Sequence, residues 1–277
     1  MTTKIIAEIA SCHNGDIQLA KKMIREVAKT GVDIVKFQSW QAGLVKDSDP
    51  DKKRYEKYEL SDEAHFILKK ECERNGVEFL TTCYNVGRIP FLKKLGLKKI
   101  KVSSTNLHNK TFLKAVRDNF KEVIVSMGMS TKKEIEEAIK ILKTGEYTIM
   151  HCVSIYPTPI EKANMRKLLW LKELTKEVGY SDHVAGFEVA NLAIGMGIKY
   201  LEKHFTTDKH MEQVSHSVSK ISKPITTHAI ADEPPVFKEI VRYRDIFAKA
   251  MGAKMIEIYP EEKATRVKYT DRFGTLK

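Results

Sequence analysis

Residues 122–153, EVIVSMGMSTKKEIEEAIKILKTGEYTIMHCV, indicate the fold class, because their pattern predicts a strand, a helix and a second strand. Its ends are the apolar, largely β-branched runs EVIVSM (122–127) and YTIMHCV (147–153). The segment between them, STKKEIEEAIKILKTG (130–145), is amphipathic, begins at a capping Ser130 or Thr131 and ends at Gly145. Two strands joined through one helix predict a β–α–β unit, in which the strands are parallel.

The same alternation extends over most of the chain. Further strands are predicted at KIIAEIA (4–10), VDIVKFQ (32–38), VEFLTT (77–82), KKIKVSS (98–104), VGYSDH (178–183) and IKYLEKHF (198–205). Further helices are predicted at 17–31, 60–76, 86–95, 109–118, 165–176, 185–196 and 234–250. Eight strand–helix units in about 250 residues favour a closed (β/α)8 TIM barrel over an open doubly wound sheet. We expect the barrel to occupy residues 1–252 and a C-terminal tail to occupy residues 253–277.

Composition and motifs argue against several other classes. The chain has 277 residues, of which 42% are hydrophobic and 30% charged, as is usual for a soluble globular protein. Neither GxGxxG nor GxxxxGK[ST] follows a predicted strand, which weakens the dinucleotide-binding and P-loop alternatives. The net charge of +12 comes from lysines mixed with acidic residues, as in KKEIEEAIK (132–140), without an RNA- or DNA-binding signature. We therefore expect no nucleic-acid partner.

The cellular setting is predicted from apolar runs and cysteines. No apolar run approaches the ~20 residues of a membrane span, so we expect no membrane partner. None of the four cysteines forms a CxxC pair, and their spacing suggests neither a zinc site nor a disulfide framework. Reduced thiols in a cytoplasmic protein are the expected state.

Polar side chains recur where the predicted strands end, which is the end of a TIM barrel that carries the chemistry. From strand 1 to strand 8 they include Glu8, Lys36, Gln38, Thr82, Lys101, Ser104, Asn106, Ser126, Ser154, Tyr156, His183, Glu202 and His204. One such residue is weak evidence, because a lone lysine commonly reaches the surface and a lone histidine is commonly structural. Buried charges are costly unless paired, so many polar groups at one mouth favour a ligand site.

Two pairs within this set indicate different ligands. Lys36 and Lys101 would face the same mouth, where two neighbouring ammonium groups need an anion such as a phosphate or carboxylate. His183 and His204 would end neighbouring strands. Two imidazoles with open positions suit a divalent metal of the catalytic type.

Several motifs carry a resemblance to a known family. They are AEIASCHNGD (7–16), VDIVKFQS (32–39), FLTTCYN (79–85), KIKVSS (99–104), IVSMGMST (124–131), IMHCVSIYPTP (149–159), YSDH (180–183) and LEKHFTTD (201–208). In this order they resemble the N-acetylneuraminate (sialic acid) synthases and the related legionaminic and pseudaminic acid synthases. The resemblance spans residues 4–208, about three quarters of the chain.

The resemblance implies a TIM-barrel transferase that condenses phosphoenolpyruvate (PEP) with a sugar aldehyde, yields a 3-deoxy-2-keto acid and releases phosphate. It assigns PEP binding to Lys36, Thr82, Lys101, Ser104, Ser126, Ser154 and Tyr156. It assigns the binding of an Mn²⁺ or Mg²⁺ ion to His183 and His204. Glu8 stands where a carboxylate of the family orients metal-bound water. The expected catalytic set is Glu8, Lys36, Lys101 and Tyr156, with Gln38 at the sugar. The family also implies a homodimer.

The chain departs from the family pattern at the sugar and after the barrel. Asn106 stands where the family has a glutamate near the reacting end of the sugar, and Ser215 stands where it has a sugar-binding aspartate. The family's small C-terminal antifreeze-like domain is expected to be missing, because the segment 258–273 resembles only the start of its linker. We therefore expect a sugar other than N-acetylmannosamine.

Two alternatives remain open at this stage. The first is a true N-acetylneuraminate synthase whose small domain is supplied by a separate partner chain. The second is a barrel without catalytic activity that binds an anionic sugar or serves as a subunit.

Overall fold

The computed structural model describes residues 2–214, 225–252, 257–270 and 272, and within them the chain forms a closed parallel barrel. The barrel order follows the chain, so each strand pairs with the next and β8 pairs with β1. The strands are β1 (Lys4–Glu8), β2 (Ile34–Ser39), β3 (Glu78–Cys83), β4 (Lys99–Val102), β5 (Glu122–Ser126), β6 (Glu146–Cys152), β7 (Val178–Asp182) and β8 (Tyr200–His204). The predicted (β/α)8 barrel is confirmed.

Helices cover the outside of the barrel. They are α1 (Ile17–Ala28), α2 (Lys52–Tyr58), α3 (Asp62–Arg74), α4 (Ile89–Lys94), α5 (Lys110–Asn119), α6 (Lys132–Leu142), α7 (Arg166–Leu174), α8 (Glu188–Gly195), α9 (Thr227–Ile230), α10 (Pro234–Ala250) and α11 (Pro260–Tyr269). The sequence predicted eight of these and missed α2, α9 and α11. Both α2 and α9 lie over the carboxyl end of the barrel, where they reach the cavity described below.

Side chains at the first turns explain where the predicted helices begin. Asp16, Ser61 and Asn109 each accept a hydrogen bond from a backbone N–H of the helix that follows. Thr131, rather than Ser130, caps α6, and the side chain of Glu134 accepts a hydrogen bond from the backbone N–H of Thr131, which completes a capping box. These caps satisfy N–H groups that have no partner inside the helix.

Strands β1 and β4 end earlier than predicted, for local reasons. The backbone leaves the β conformation at Ala10, whose φ of 50° is left-handed. After β4, the side chain of Ser103 accepts a bond from Thr105 N–H and starts a 3₁₀ turn over Ser104–Asn106. The residues beyond these points therefore lie in loops above the barrel rather than in the strands.

The barrel interior has an apolar lower layer and a polar upper layer. The lower layer consists of Ile6, Ile34, Leu80, Ile124, Met150 and Tyr200. Two residues further along the strands, on the same inward face, the side chains become Glu8, Lys36, Thr82, Ser126, Cys152 and Glu202. A larger apolar core fills the space between the sheet and the helices. The apolar layer closes the bottom of the barrel, so the polar layer forms the floor of a cavity open at the other end.

Two other expectations can be compared with the structure. Cys12, Cys72, Cys83 and Cys152 are all buried and none is in a disulfide. Within the described ranges, no helix has the length and hydropathy needed to cross a membrane.

Candidate active site

A cavity of about 390 Å³ opens at the carboxyl ends of the strands. The structure brings together there most of the residues predicted for the site: Glu8, Lys36, Gln38, Thr82, Lys101, Ser104, Ser126, Ser154, Tyr156, His183 and His204. They come from all eight strands or the loops that follow them. Strand alternation places the residues of β1–β3, β5 and β8 on the inward face, and barrel closure makes them neighbours.

Two lysines and two carboxylates form the charged floor of the cavity. The ammonium of Lys36 contacts the carboxylate of Glu8 and lies 3.7 Å from Glu202 Oε2, while Lys101 Nζ lies 3.6 Å from Glu202 Oε1. All four side chains are less than 10% exposed. Glu8 and Glu202 thus give both lysines carboxylate neighbours inside the protein, in addition to any anionic ligand.

Burial and these neighbours shift the charges of the floor in defined directions. Burial lowers the pKa of Lys36 to about 7, although Glu202 acts in the opposite sense. Burial opposes ionisation of Glu202, but the ammonium groups of Lys101 and Lys36 outweigh it and hold the pKa of the carboxyl at about 2. Glu202 is therefore ionised at neutral pH, whereas Lys36 can gain or lose a proton there.

Hydroxyl groups accompany both lysines. Lys36 Nζ donates to Thr82 Oγ1 at 3.0 Å, and Lys101 Nζ donates to Ser126 Oγ at 2.6 Å. These bonds hold the ammonium groups in place without neutralising them, since a hydroxyl carries no charge.

A glycine shapes the hydroxyl wall, which is the side of the cavity formed by Ser104, Ser126 and Ser154. The backbone N–H of Gly128 donates to Ser104 Oγ at 3.0 Å. A Cβ atom on Gly128 would lie 2.3 Å from Ser154 Oγ, 2.7 Å from Cys152 Sγ and 2.9 Å from Ser104 Oγ. No side chain fits at this position unless those three groups move, so the glycine permits polar side chains of β6 and of the β4 and β6 loops to meet.

Two imidazoles occupy the wall formed by β7 and β8. The ring centres of His183 and His204 are 5.7 Å apart, and the ring of Tyr156 lies 4.2 Å from that of His183. The carbonyl of Val153 accepts a 2.7 Å bond from His183 Nδ1, which leaves Nε2 of the neutral ring as the free lone pair. Burial, followed by the charges of His183 and Lys36, lowers the pKa of His204 well below its usual value.

This imidazole pair fits a metal in its chemistry and in its support. Neutral imidazoles are ligands for divalent cations, and a ligand histidine usually donates its other N–H to a carbonyl or carboxylate, as His183 does. His204 Nδ1 is buried and has no hydrogen-bond partner in the described part of the chain. In the same part, no group of three or more His, Cys, Asp or Glu side chains has the geometry of a metal site.

A buried ion-pair cluster fixes the backbone behind the two histidines. Lys203 Nζ lies 2.8 Å from Asp182 Oδ2 and 3.0 Å from Asp232 Oδ2, and all three side chains are at most 3% exposed. Asp182 precedes His183 and Lys203 precedes His204, while the N–H of Asp232 donates to the carbonyl of His204 at 2.9 Å. The cluster thus joins β7, β8 and the segment before α10 next to the imidazole pair.

Asn106, which was predicted to bind the sugar, is not among the residues that line the described cavity. Asn106 Nδ2 donates to the carbonyl of Tyr84 at 2.8 Å, so this amide connects the loops after β3 and β4. Ser215 lies outside the described residues.

Two further residues line the cavity: Glu202, which the strand pattern placed at the barrel mouth without a role, and Arg54, which was not predicted. Glu202 had a signal, because it stands two residues before His204 in the same strand and therefore on the same face. Arg54 had none, since it belongs to α2, a short polar helix that the sequence pattern does not reveal.

The fold and the site together define a (β/α)8-barrel protein with paired charges, hydroxyls and two imidazoles at the catalytic end of the barrel. The chain belongs to the NeuB family, whose model matches residues 23–231. This result confirms the resemblance to sialic, legionaminic and pseudaminic acid synthases.

Individual relatives agree with the family. The chain is 36% identical to the N,N'-diacetyllegionaminic acid synthase of Campylobacter jejuni over 238 residues, which cover 78% of this chain and 71% of that enzyme. It is 29% identical to the N-acetylneuraminate-9-phosphate synthase of Drosophila melanogaster, over 86% of this chain and 71% of that enzyme. The N-acetylneuraminic acid synthetase of Leptospira borgpetersenii, solved in complex with citrate, superposes with a TM-score of 0.87 at 28% identity. That superposition covers 98% of this chain and 92% of the other.

Proposed function

We propose that the protein is a PEP-dependent synthase that joins PEP to a sugar aldehyde and gives a 3-deoxy-2-keto acid and phosphate. One observation carries the proposal: Lys36 and Lys101, each hydrogen-bonded to a hydroxyl, lie on the floor of a cavity whose wall carries two partly buried imidazoles. PEP supplies the phosphate and carboxylate that such a floor can bind, and membership of the NeuB family supports the same reaction class.

The reaction requires one C–C bond to form and one C–O bond to break. Carbon 3 of PEP attacks the aldehyde carbon, water adds to carbon 2, and the resulting tetrahedral centre expels phosphate with its bridging oxygen. In this scheme Lys36, Lys101 and the hydroxyls of Thr82, Ser104, Ser126 and Ser154 bind PEP. Fixed charges placed where charge develops stabilise the transition state without reorganisation.

The Glu8–Lys36 pair is suited to hold a proton at the reacting atoms. Glu8 Oε1 accepts the N–H of Ala10 at 2.6 Å, and its second oxygen faces Lys36. Because the pKa of Lys36 is about 7, the pair can accept or supply a proton at neutral pH. The contacts with Ala10 and Lys36 also hold both carboxylate oxygens of Glu8 in one orientation at the cavity floor.

His183 and His204 would hold a divalent ion, Mn²⁺ or Mg²⁺. Such an ion, when bound, would polarise the aldehyde oxygen as a Lewis acid. The protein holds the ring of His183 in one orientation, because the backbone carbonyl of Val153 accepts its Nδ1–H and Tyr156 packs against the ring.

We further propose that the sugar differs from N-acetylmannosamine. The side chain of Asn106 donates a hydrogen bond to the Tyr84 carbonyl. A glutamate at this position could not donate that bond as a carboxylate, so it would leave the carbonyl and turn elsewhere. An asparagine in place of a glutamate therefore removes a charge from the loop after β4 and changes how this loop packs against the loop after β3.

The test is phosphate release from PEP with Mn²⁺ across a panel of aldoses and phosphorylated aldoses. Wild type should release phosphate with at least one aldehyde, and Lys101→Met should reduce kcat/KM by at least 100-fold and weaken PEP binding in calorimetry. Lys98→Met is the matched control, because Lys98 is exposed just before β4, at the opposite end of the barrel. A protein that binds PEP but releases no phosphate with any aldehyde would contradict the proposal and favour a barrel without catalytic activity.

A further inference from the structure

Arg54, on α2, places its guanidinium at the cavity. No carboxylate in the described part of the chain forms an ion pair with this group, whose hydrogen bonds go to hydroxyls. Its Nη2 donates to Ser11 Oγ at 2.9 Å and to Thr227 Oγ1 at 3.3 Å, both neutral groups. Its Nε is buried and has no hydrogen-bond partner among the described residues. Asp51 also lines the cavity, but it forms no ion pair with Arg54 in that part of the chain. A guanidinium with five donors therefore has unused bonding capacity at the cavity wall.

Arg54 lies in a different sector of the barrel mouth from the hydroxyl wall. Its partner Ser11 follows β1, and its partner Thr227 begins α9, after β8. The hydroxyl wall is built instead by Ser104, Ser126 and Ser154, which belong to the β4–β6 side of the barrel. The cavity thus has a second cationic point besides the lysine floor, on the side occupied by β8 and β1.

The positions of these groups order a two-substrate complex. If the anionic enol phosphate occupies the lysine floor and the hydroxyl wall, the aldehyde carbon must lie close to it for the C–C bond to form. The remote end of the aldose then extends away from the hydroxyl wall, toward the sector that holds Arg54. Arginine binds phosphate and carboxylate through paired N–H groups in a fixed fork, so it can recognise an anionic group at that end.

We propose that Arg54 determines specificity by binding a phosphate or carboxylate at the end of the aldose remote from its aldehyde. The proposal rests on the proposed function and names the substrate class: an anionic aldose rather than a neutral one. It assigns Arg54 to the sugar and leaves PEP to the lysines of the floor.

The experiment compares matched aldoses that differ only at carbon 6: the neutral sugar, its 6-phosphate and its 6-carboxylate, in the manno, gluco and 2-acetamido-manno series. Wild type should prefer an anionic member, and the preferred form tells phosphate from carboxylate. Arg54→Gln should lower kcat/KM for that member about 10- to 100-fold, the range expected for hydrogen bonds to a charged group. The KM for PEP and turnover of the neutral sugar should stay within twofold, and Arg54→Lys should recover part of the loss.

Lys53→Met is the matched control, since Lys53 is an exposed cation on the same helix and does not line the cavity. Equal losses on neutral and anionic sugars, a raised KM for PEP in Arg54→Gln, or a wild-type preference for neutral sugars would overturn the proposal. Calorimetry of the 6-phosphate and the 6-carboxylate separates it from the proposed function. Binding that weakens in Arg54→Gln, even without phosphate release, supports the role of Arg54, and binding that is absent or unchanged refutes it.

Discussion

Lys36 is one of the two lysines to which we assign PEP binding, and the sequence predicted only part of its surroundings. Period-2 alternation predicts that Lys36 points inward if Ile34 does. The alternation cannot reveal which carboxylates face it, because that depends on the register of β2 against β1 and of β1 against β8. In that register Glu8 is opposite Lys36, so the lysine has an internal counter-ion that the strand pattern alone did not predict.

The lowered pKa of Lys36 leads to a prediction about proton uptake. Burial brings this pKa to about 7 in the free protein, so above pH 7 much of the amine is neutral. Binding of anionic PEP favours the charged ammonium and raises the pKa, so PEP binding should take up protons above pH 7 and few below pH 6. Calorimetry at pH 8 in two buffers of different ionisation enthalpy measures the number of protons. The uptake should disappear in Lys36→Met, and equal uptake in this variant would refute the assignment.

Among the secondary-structure elements, local sequence patterns predicted the strands and the long helices better than the short helices. The predicted ranges of α1, α3 and α6 agree with the structure to within a few residues, and the side chains of Asp16, Ser61 and Thr131 cap these helices. Helix α2, with the sequence KKRYEKY, has no such periodicity, and its position over the cavity depends on tertiary contacts. A bond from Trp40 Nε1 to the carbonyl of Tyr55, for example, attaches α2 to the end of β2. Sequence reasoning therefore recovered the strand-borne part of the site and missed Arg54.

The Lys203 cluster yields a prediction about how elements position the imidazoles. Lys203→Met leaves Asp182 and Asp232 buried without their shared cation, a change that typically costs about 3–5 kcal/mol of folding free energy. The backbone beside both histidines should shift as well. We expect a lower Tm and, well below it, Mn²⁺ binding weakened at least 10-fold as measured by electron paramagnetic resonance.

Two further variants separate positioning from simple destabilisation. Lys209→Met removes another cation 2.9 Å from Asp232, but one whose side chain is 34% exposed, and it should leave Mn²⁺ affinity nearly unchanged. Lys203→Arg should restore part of the affinity. An unaltered Mn²⁺ affinity in folded Lys203→Met would restrict the cluster to a structural role.

At the scale of the whole molecule, eight strand pairings close the described barrel, with apolar layers inside and outside the sheet. This architecture was predictable from the repeated alternation of strands and helices over the chain. The side chains of His183 and His204 lie above the apolar interior and take no part in the strand pairing.

Metal removal should consequently abolish turnover and leave the fold intact. Saturating Mn²⁺ stabilises the folded protein only by mass action, about 2.7 kcal/mol at one hundred times Kd. We expect EDTA to stop phosphate release, to leave the far-ultraviolet circular dichroism unchanged and to lower Tm by no more than several degrees. Global unfolding on chelation would instead indicate a structural metal.

Condensation in water enriched in ¹⁸O, followed by mass spectrometry of the released phosphate, tests the proposed synthase reaction. If water adds to carbon 2 and the C–O bond breaks, phosphate keeps the bridging oxygen of PEP and carries no label. Release should also require the aldehyde. Phosphate that contains ¹⁸O from water, or that forms at the same rate without an aldehyde, would contradict the proposed synthase chemistry.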